Sequence, residues 1–254
     1  MSRTFTYDGE EPVRVNKWLA QSGVCSRREA DELIAAGAVM IDGERVSDAG
    51  RKISAGQTLV LNDRAELGLG AQISVVINKP VGIVSAQPEH GQTPAARLLT
   101  AEAQVGKGIV PSSRASLPPL GRLDQDSRGL LLLSEDGVLA KAIIGPESEV
   151  DKEYVVTVRG KVDRVKIQKL RHGLELDGRQ LKPAKVTLQD TQVLRFVLTE
   201  GRNRQIRRMC ELVGLEVADL VRVRIGPLLL GDLPEGKWRH LTAAERDALI
   251  AASV

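Results

Sequence analysis

The feature that most constrains this chain is a dense polar loop that opens directly into an apolar run of strand length. The loop is Leu120-Gly121-Arg122-Leu123-Asp124-Gln125-Asp126-Ser127-Arg128-Gly129, and the run is Leu130-Leu131-Leu132-Leu133. Pro118-Pro119 before it and Glu135-Asp136-Gly137 after it are turn signals, so the leucines are bounded as a short buried strand. A loop held at the mouth of a buried strand can fix a reactive side chain rigidly. Asp124 stands in that loop between two cations, Arg122 and Arg128. From spacing alone three readings compete. Asp124 and Asp126 cap a turn, as Asp beside Gly often does. They form a pair of hard oxygen ligands for magnesium. Or Asp124 is a catalytic carboxylate. No third clustered carboxylate and no phosphate-cradling Gly-Lys-Ser loop supports the metal reading.

The composition narrows the class. With 254 residues, 42% apolar and 27% charged, the chain has enough apolar material for one large domain or two smaller ones. Net charge is only +3, so a nucleic-acid footprint has to come from local clustering of cations. Cys25 and Cys210 are far apart, and His90, His172 and His240 are scattered, which argues against a metal site. No run approaches membrane-spanning length and the start lacks a signal-peptide core, so no membrane partner is expected and the cytoplasm is the default compartment.

Val13 to Ser22 reads as a short amphipathic helix, with Val15, Trp18 and Leu19 on one face and Arg14, Lys17 and Gln21 on another. Ser26-Arg27-Arg28-Glu29 has the form of a capping box. The helix it starts should run to about Ala36, burying Ala30, Leu33 and Ile34. Val39 to Val46 reads as a hairpin about Asp42-Gly43, and Ile53 to Leu61 as a further strand. Arg27 and Arg28 in a first helical turn oppose the helix dipole. They are either a solvated basic face or cations offered to phosphates.

Glu66-Leu67-Gly68-Leu69-Gly70 reads as a linker, dividing the chain into domains at 12–66 and 71–250. Beyond it, Ile73 to Ile77 is a strand, and Lys79-Pro80-Val81-Gly82 forces a bend. Thr100 to Pro119 has little periodicity and reads largely as a mobile loop beside the Asp124 stretch. Val138 to Ile144 and Val162 to Leu170 are helical. Lys152 to Val158, Val186 to Leu188 and Val193 to Leu198 are strands, and Leu174 to Lys182 is a hairpin about Asp177-Gly178. This order suggests an α+β domain with a largely antiparallel sheet. In Glu200-Gly201-Arg202-Asn203-Arg204-Gln205-Ile206-Arg207-Arg208-Met209-Cys210, the residues Ile206, Met209, Cys210 and Val213 recur at helical spacing. Arg204, Arg207 and Arg208 crowd the other side, as an RNA-facing surface or as counter-ions for a carboxylate.

Two resemblances connect these segments. Arg14-Val15-Asn16-Lys17-Trp18-Leu19-Ala20, Gly23 to Ala30 and Val39 to Gly43 resemble the S4 RNA-binding domain. That likeness implies that Arg14, Lys17, Arg27 and Arg28 face RNA phosphates, contacts that give affinity and register rather than sequence choice. Lys79-Pro80-Val81-Gly82, Gly121-Arg122-Leu123-Asp124 with Gly129-Leu130-Leu131-Leu132, Lys152-Glu153-Tyr154 and Gly201 to Arg208 resemble, in order, the bacterial ribosomal-RNA pseudouridine synthases that carry an N-terminal S4 domain. The likeness is strongest to the branch acting on large-subunit rRNA. It implies conversion of uridine to pseudouridine with no cofactor, with Asp124 as the essential carboxylate, Arg207 as its ion-pair partner and Tyr154 packed against the uracil. Arg122, Lys152 and Gln205 become substrate-binding residues, and Arg204 a further RNA contact. A tRNA is left open as a second substrate, a monomer is expected, and whether Asp124 attacks base or sugar stays open. The rival reading is a non-catalytic S4-containing RNA-binding or ribosome-assembly protein.

Overall fold

The computed structural model describes residues 3–112, 115 and 117–253. The chain forms two compact units, Met1–Ile73 with Glu135–Lys141, and Ser74–Ser134 with Ala142–Val254.

In the first unit, helix α1 (Val15–Gln21) buries Val15 and Leu19, one helical turn apart. Helix α2 (Arg27–Ala35) begins with the expected capping box. The Ser26 hydroxyl accepts from the Glu29 N–H, and the Glu29 carboxylate accepts from the Ser26 N–H. Strands β1 (Thr4–Thr6), β2 (Val39–Ile41), β3 (Glu44–Arg45) and β4 (Thr58–Leu61) form an antiparallel sheet in the order β1-β4-β2-β3. Asp42 and Gly43 both take positive φ, 48° and 84°, as the two central residues of a type I′ turn require. The Ile53–Leu61 segment is not one strand. Lys52–Ile53 pairs instead with Val13–Arg14.

The segment read as a linker is helical. Glu66 to Gly70 lie within α3 (Asp63–Gly70), whose N-terminus is capped by the Asn62 side chain accepting from the Ala65 N–H at 2.9 Å. Two glycines each cost a helix about 1 kcal/mol. The cap and the acidic first turn, Asp63 and Glu66, act in the other direction.

Helix α4 (Gly137–Ile144) has its residues up to Lys141 in the first unit and the rest in the second, whose other elements are β5 (Ser74–Lys79), β6 (Arg128–Ser134), β7 (Lys152–Arg159), α5 (Arg164–Arg171), β8 (Lys185–Asp190), β9 (Val193–Leu198), α6 (Gln205–Leu212), β10 (Glu216–Ile225), β11 (Trp238–His240) and α7 (Ala243–Ala251). The strands form one sheet in the order β8-β9-β7-β10-β6-β5-β11, with Leu228–Leu229 added to β10. Only β6 and β10 run parallel in it, among the described residues. Strand β6 is interior to the sheet and Leu130 to Leu133 are wholly buried. Burial on both faces is why its sequence shows no alternation. Helices α5 and α6 pack Leu170, Ile206, Met209 and Cys210 into one core with Val156, Leu194 and Phe196 of the sheet.

Residues 100–109, expected to be mobile, are bonded along strand β11. The Val105 N–H donates to the Trp238 carbonyl (2.8 Å), the Trp238 N–H to Ala103 (3.1 Å), and the Trp238 indole N–H to Thr100 (2.8 Å). The segment therefore covers an edge strand that would otherwise offer unpaired backbone groups. Ser113, Arg114 and Ser116 of the same expected loop lie outside the described residues. Among the described residues, no helix is long and apolar enough to cross a membrane.

One close approach holds the central strands together. Gly129 has φ 102°, and a Cβ there would lie 2.4 Å from the Arg222 carbonyl oxygen. Gly129→Ala is expected to lower the unfolding free energy by about 2 kcal/mol or more, from left-handed strain and backbone overlap together. Urea denaturation measures this; a loss under about 0.5 kcal/mol, the size of an ordinary surface substitution, would show that β6 and β10 can part there at little cost.

Candidate active site

The polar loop 121–127 leaves the N-terminal end of β6, and it is fixed from several sides. The Ser127 N–H donates to the Asp124 carbonyl (3.1 Å), closing a turn that Asp124 opens. The Leu123 N–H donates to the Ser85 hydroxyl (2.8 Å), which in turn donates to the Leu123 carbonyl (2.7 Å). The Gly82 N–H donates to the Gln125 carbonyl (2.8 Å). Lys79-Pro80-Val81-Gly82 is thus a buttress of the Asp124 loop. Lys79 itself is fully buried, its ammonium donating to the carbonyls of Pro80 (2.8 Å) and Ile83 (2.7 Å). Burial pushes its pKa down to about 8, and the carboxylates of Asp124 and Asp126 pull it the other way.

Beside the loop lies a cavity of about 460 Å³, which falls in the range of small-ligand sites, roughly 300–1,000 Å³. Asp124, Arg122, Lys152, Tyr154, Arg204, Gln205, Arg207 and Arg222 all line it. The sequence-expected catalytic and substrate-binding residues therefore line one cavity, although they come from the loop, from β7 and from α6. Arg14, Lys17, Arg27 and Arg28 belong to the first unit, where all four are exposed.

Several details differ from the expectation. Arg207 is not the ion-pair partner of Asp124. Its guanidinium contacts Asp126, with Nε 3.3 Å from Oδ2, and donates to the Asp126 carbonyl (2.6 Å) and the Ser127 hydroxyl (3.2 Å). The cation on Asp124 is Arg204, Nη1 to Oδ2 at 3.9 Å. The reason is backbone geometry. Arg204 is the N-cap of α6 in the left-handed conformation, φ 49°, which carries its side chain across the loop, while Arg207 lies one turn further along. Arg204 grips Asp126 with both nitrogens (3.0 and 2.8 Å). That bidentate hydrogen bond, followed by the charge of Arg207, holds the Asp126 carboxyl below the usual carboxylate range. Both oxygens of Asp126 are thus committed to guanidinium groups, which disfavours the paired magnesium-ligand reading.

Arg128 points away, paired with Asp219 (3.0 and 2.6 Å), whereas Arg122 is exposed at the cavity rim. The Gln205 amide donates to Glu200 (2.9 Å) and accepts from the Arg202 N–H (2.9 Å), so it shapes the wall with its hydrogen-bonding groups already occupied. The Lys152 ammonium donates to the carbonyls of Val150 (2.9 Å) and Ile143 (3.2 Å), and burial, then the nearby Arg222, lowers its pKa to about 8. Tyr154 is half-buried on β7, beside a bulge between Glu153 and Tyr154 that re-aims the strand. Sequence reasoning missed Arg222 altogether and saw in Lys79 only a motif letter.

This arrangement joins a carboxylate, an aromatic ring and guanidinium groups around a space of nucleotide-base scale. The S4 domain family matches residues 13–59, and the RNA pseudouridylate synthase family matches residues 73–212, more than half of the chain. The chain belongs to the RNA pseudouridylate synthase family. It is accordingly an enzyme, a pseudouridine synthase. The dual-specificity RNA pseudouridine synthase RluF of Salmonella typhi is 38% identical over 235 residues, covering 92% of this chain and 77% of that protein. The ribosomal large subunit pseudouridine synthase B of Bacillus subtilis (strain 168) is 34% identical over 242 residues, covering 91% of this chain and 93% of its own. A crystal structure of a pseudouridylate synthase superimposes with a TM-score of 0.64 at 28% identity, covering 93% of this synthase and 99% of that chain. Within the synthase, the Asp124 loop, the start of β7 and the N-terminal end of α6, which meet at the cavity, carry three of the motifs behind the family likeness.

Proposed function

We propose that this synthase modifies a uridine in large-subunit ribosomal RNA, with Asp124 as the reacting carboxylate. The isomerisation breaks the bond from the sugar C1′ to N1 of uracil and makes one from C1′ to C5. The proton on C5 is lost and N1 gains one, so atoms and electrons balance without an oxidant or a second substrate. A carboxylate needs no general base to be nucleophilic near neutral pH. Tyr154 packs on the uracil, Arg207 and Arg204 hold the loop that bears Asp124, and Arg122 at the rim takes the flipped nucleotide or its phosphate. Extruding the base from paired RNA costs a few kcal/mol, which these contacts offset. The observation that carries this reading is the convergence of Asp124, Tyr154 and Arg207 on one cavity.

Domains at 12–66 and 71–250 divide the labour. The first grips RNA through Arg14, Lys17, Arg27 and Arg28, and the second does the chemistry. The protein works as a monomer in the cytoplasm. A relative named as a ribosomal large subunit synthase supports rRNA as the main target, and one named as a dual-specificity RNA synthase supports a second target, for which this reading takes tRNA. The deciding experiment is carbodiimide primer extension on rRNA and tRNA from strains with and without the gene. The reading expects a stop to vanish from large-subunit rRNA in the deletion and to return with the wild-type gene. An unchanged pattern in every RNA would overturn it.

A second result is expected for RNA binding. Replacing Arg14, Lys17, Arg27 and Arg28 together by Ala removes four exposed cations. If each neutralises a phosphate, the slope of log K against log salt falls by roughly 3, at about 0.7 to 0.9 per contact. Filter binding across a salt series measures it, and an unchanged slope would place the RNA anchor elsewhere.

A further inference from the structure

Arg222 is the most buried arginine of this active-site wall, only 1% exposed, and it lies in β10 rather than in any segment that carries the family likeness. Neighbouring arginines of the sheet have carboxylate partners: Arg128 has Asp219, and Arg224 has Asp151 and Glu153. Arg222 bonds main-chain carbonyls instead. Its Nε donates to Leu130 (2.7 Å), its Nη2 to Gly121 (2.9 Å), and its Nη1 reaches Arg122 (3.4 Å). Leu130 belongs to β6, and Gly121 and Arg122 are the residues that lead into Asp124. On its other side Arg222 stands in register with Tyr154, at the bulge of β7. One side chain therefore ties together the strand under the loop, the loop itself and the strand bearing the tyrosine.

Burying a cation without a carboxylate is costly, and an apolar residue of similar volume would serve packing as well or better. The side chain also lines the cavity, so its charge bears on whatever occupies it. Its charge acts on the cavity wall, where after burial it is the next cause that lowers the pKa of Lys152. We propose that Arg222 is a positioning residue for the isomerisation: it fixes the Gly121 and Arg122 carbonyls so that Asp124 is held at the reacting sugar and base, and it keeps the cavity floor positive. The inference rests on reading Asp124 as the reacting carboxylate.

The test uses the full-length protein and rRNA purified from the deletion strain. Single-turnover rates at saturating enzyme are measured alongside RNA affinity and thermal unfolding. Arg222→Gln is expected to bind RNA within about threefold of wild type but to react about 10²-fold more slowly, the size of loss that an ångström of misplacement produces. Arg222→Ala is expected to regain at least about tenfold in rate when guanidinium ion is added at millimolar concentration, because the ion restores both the donors and the charge. Asp124→Asn, run in parallel, should be inactive and unrescued by guanidinium. A folded Arg222→Gln that reacts at a near-normal rate overturns the inference, as does a loss confined to RNA affinity with the saturated rate unchanged. If the Gln and Ala variants do not fold, Arg222→Lys decides. It keeps the charge but not the fork, and a normal saturated rate for it overturns the proposal. Full activity in Asp124→Asn would instead overturn the carboxylate reading, so the two failures are distinguishable.

Discussion

Asp124→Asn is expected to leave the protein folded and bound to RNA while abolishing pseudouridine formation. The substitution keeps the shape of the side chain and the turn it opens, because the Ser127 N–H donates to the Asp124 carbonyl and not to its carboxylate. The side chain is about one-third exposed and its cation contact is long, 3.9 Å to Arg204. Arg204 keeps its shorter bidentate contact with Asp126 when that charge is gone. Little stability is therefore at stake, since partly exposed pairs of this kind contribute about 0–1 kcal/mol. The chemistry is another matter. An amide has no anionic oxygen with which to act, and loss of a nucleophile costs at least about 10⁴-fold in rate in enzymes that depend on one. Tritium release from uridine labelled at C5 gives the rate, and filter binding gives the affinity. Appreciable turnover by purified Asp124→Asn would remove the carboxylate from the mechanism.

How much of this site was legible beforehand depends on how local each signal is. The Ser26–Glu29 capping box and the Asp42-Gly43 turn are written in four or fewer residues, and both occur where the sequence puts them. The leucine run needed only its turn-bounded ends to be read as a buried strand. Glu66 to Gly70 is helical although its glycines suggest an irregular linker, because the Asn62 cap that sustains the helix lies upstream of the glycine-bearing stretch. The choice between Arg204 and Arg207 as the neighbour of Asp124 turns on a left-handed backbone at Arg204, and nothing in Asn203-Arg204-Gln205 announces it. Arg222 shows a different limit. Val221-Arg222-Val223-Arg224-Ile225 alternates and so signals a strand. Alternation cannot say that the charged side faces a cavity, because an outward-facing strand has the same pattern. That fact depends on β10 running parallel to β6 beneath the loop, a pairing between segments about ninety residues apart.

Arg207→Lys is expected to cost about 10²- to 10³-fold in saturated rate, or roughly 3–4 kcal/mol, although it conserves the charge. The guanidinium works in several directions at once. Nη2 donates to the Asp126 carbonyl and the Ser127 hydroxyl, Nη1 reaches the Val217 carbonyl at 3.4 Å, and Nε lies 3.3 Å from the Asp126 carboxylate. A lysine ammonium is a single point on a flexible stem and cannot occupy these positions together. The side chain is also only 14% exposed, so water cannot make good the donors that are lost. Its Nε is buried against the Asp126 carboxylate without a well-formed hydrogen bond, so no water reaches it to replace that contact. Arg204→Lys provides the contrast. That side chain also grips Asp126 with a fork but is 44% exposed, so water can replace part of what a lysine loses and the fall in rate should be smaller than for Arg207→Lys. If Arg207→Lys reacted at a normal saturated rate, α6 would be only a wall of the cavity. The loop bearing Asp124 would then be held chiefly by Gly82, Ser85, Arg204 and Arg222.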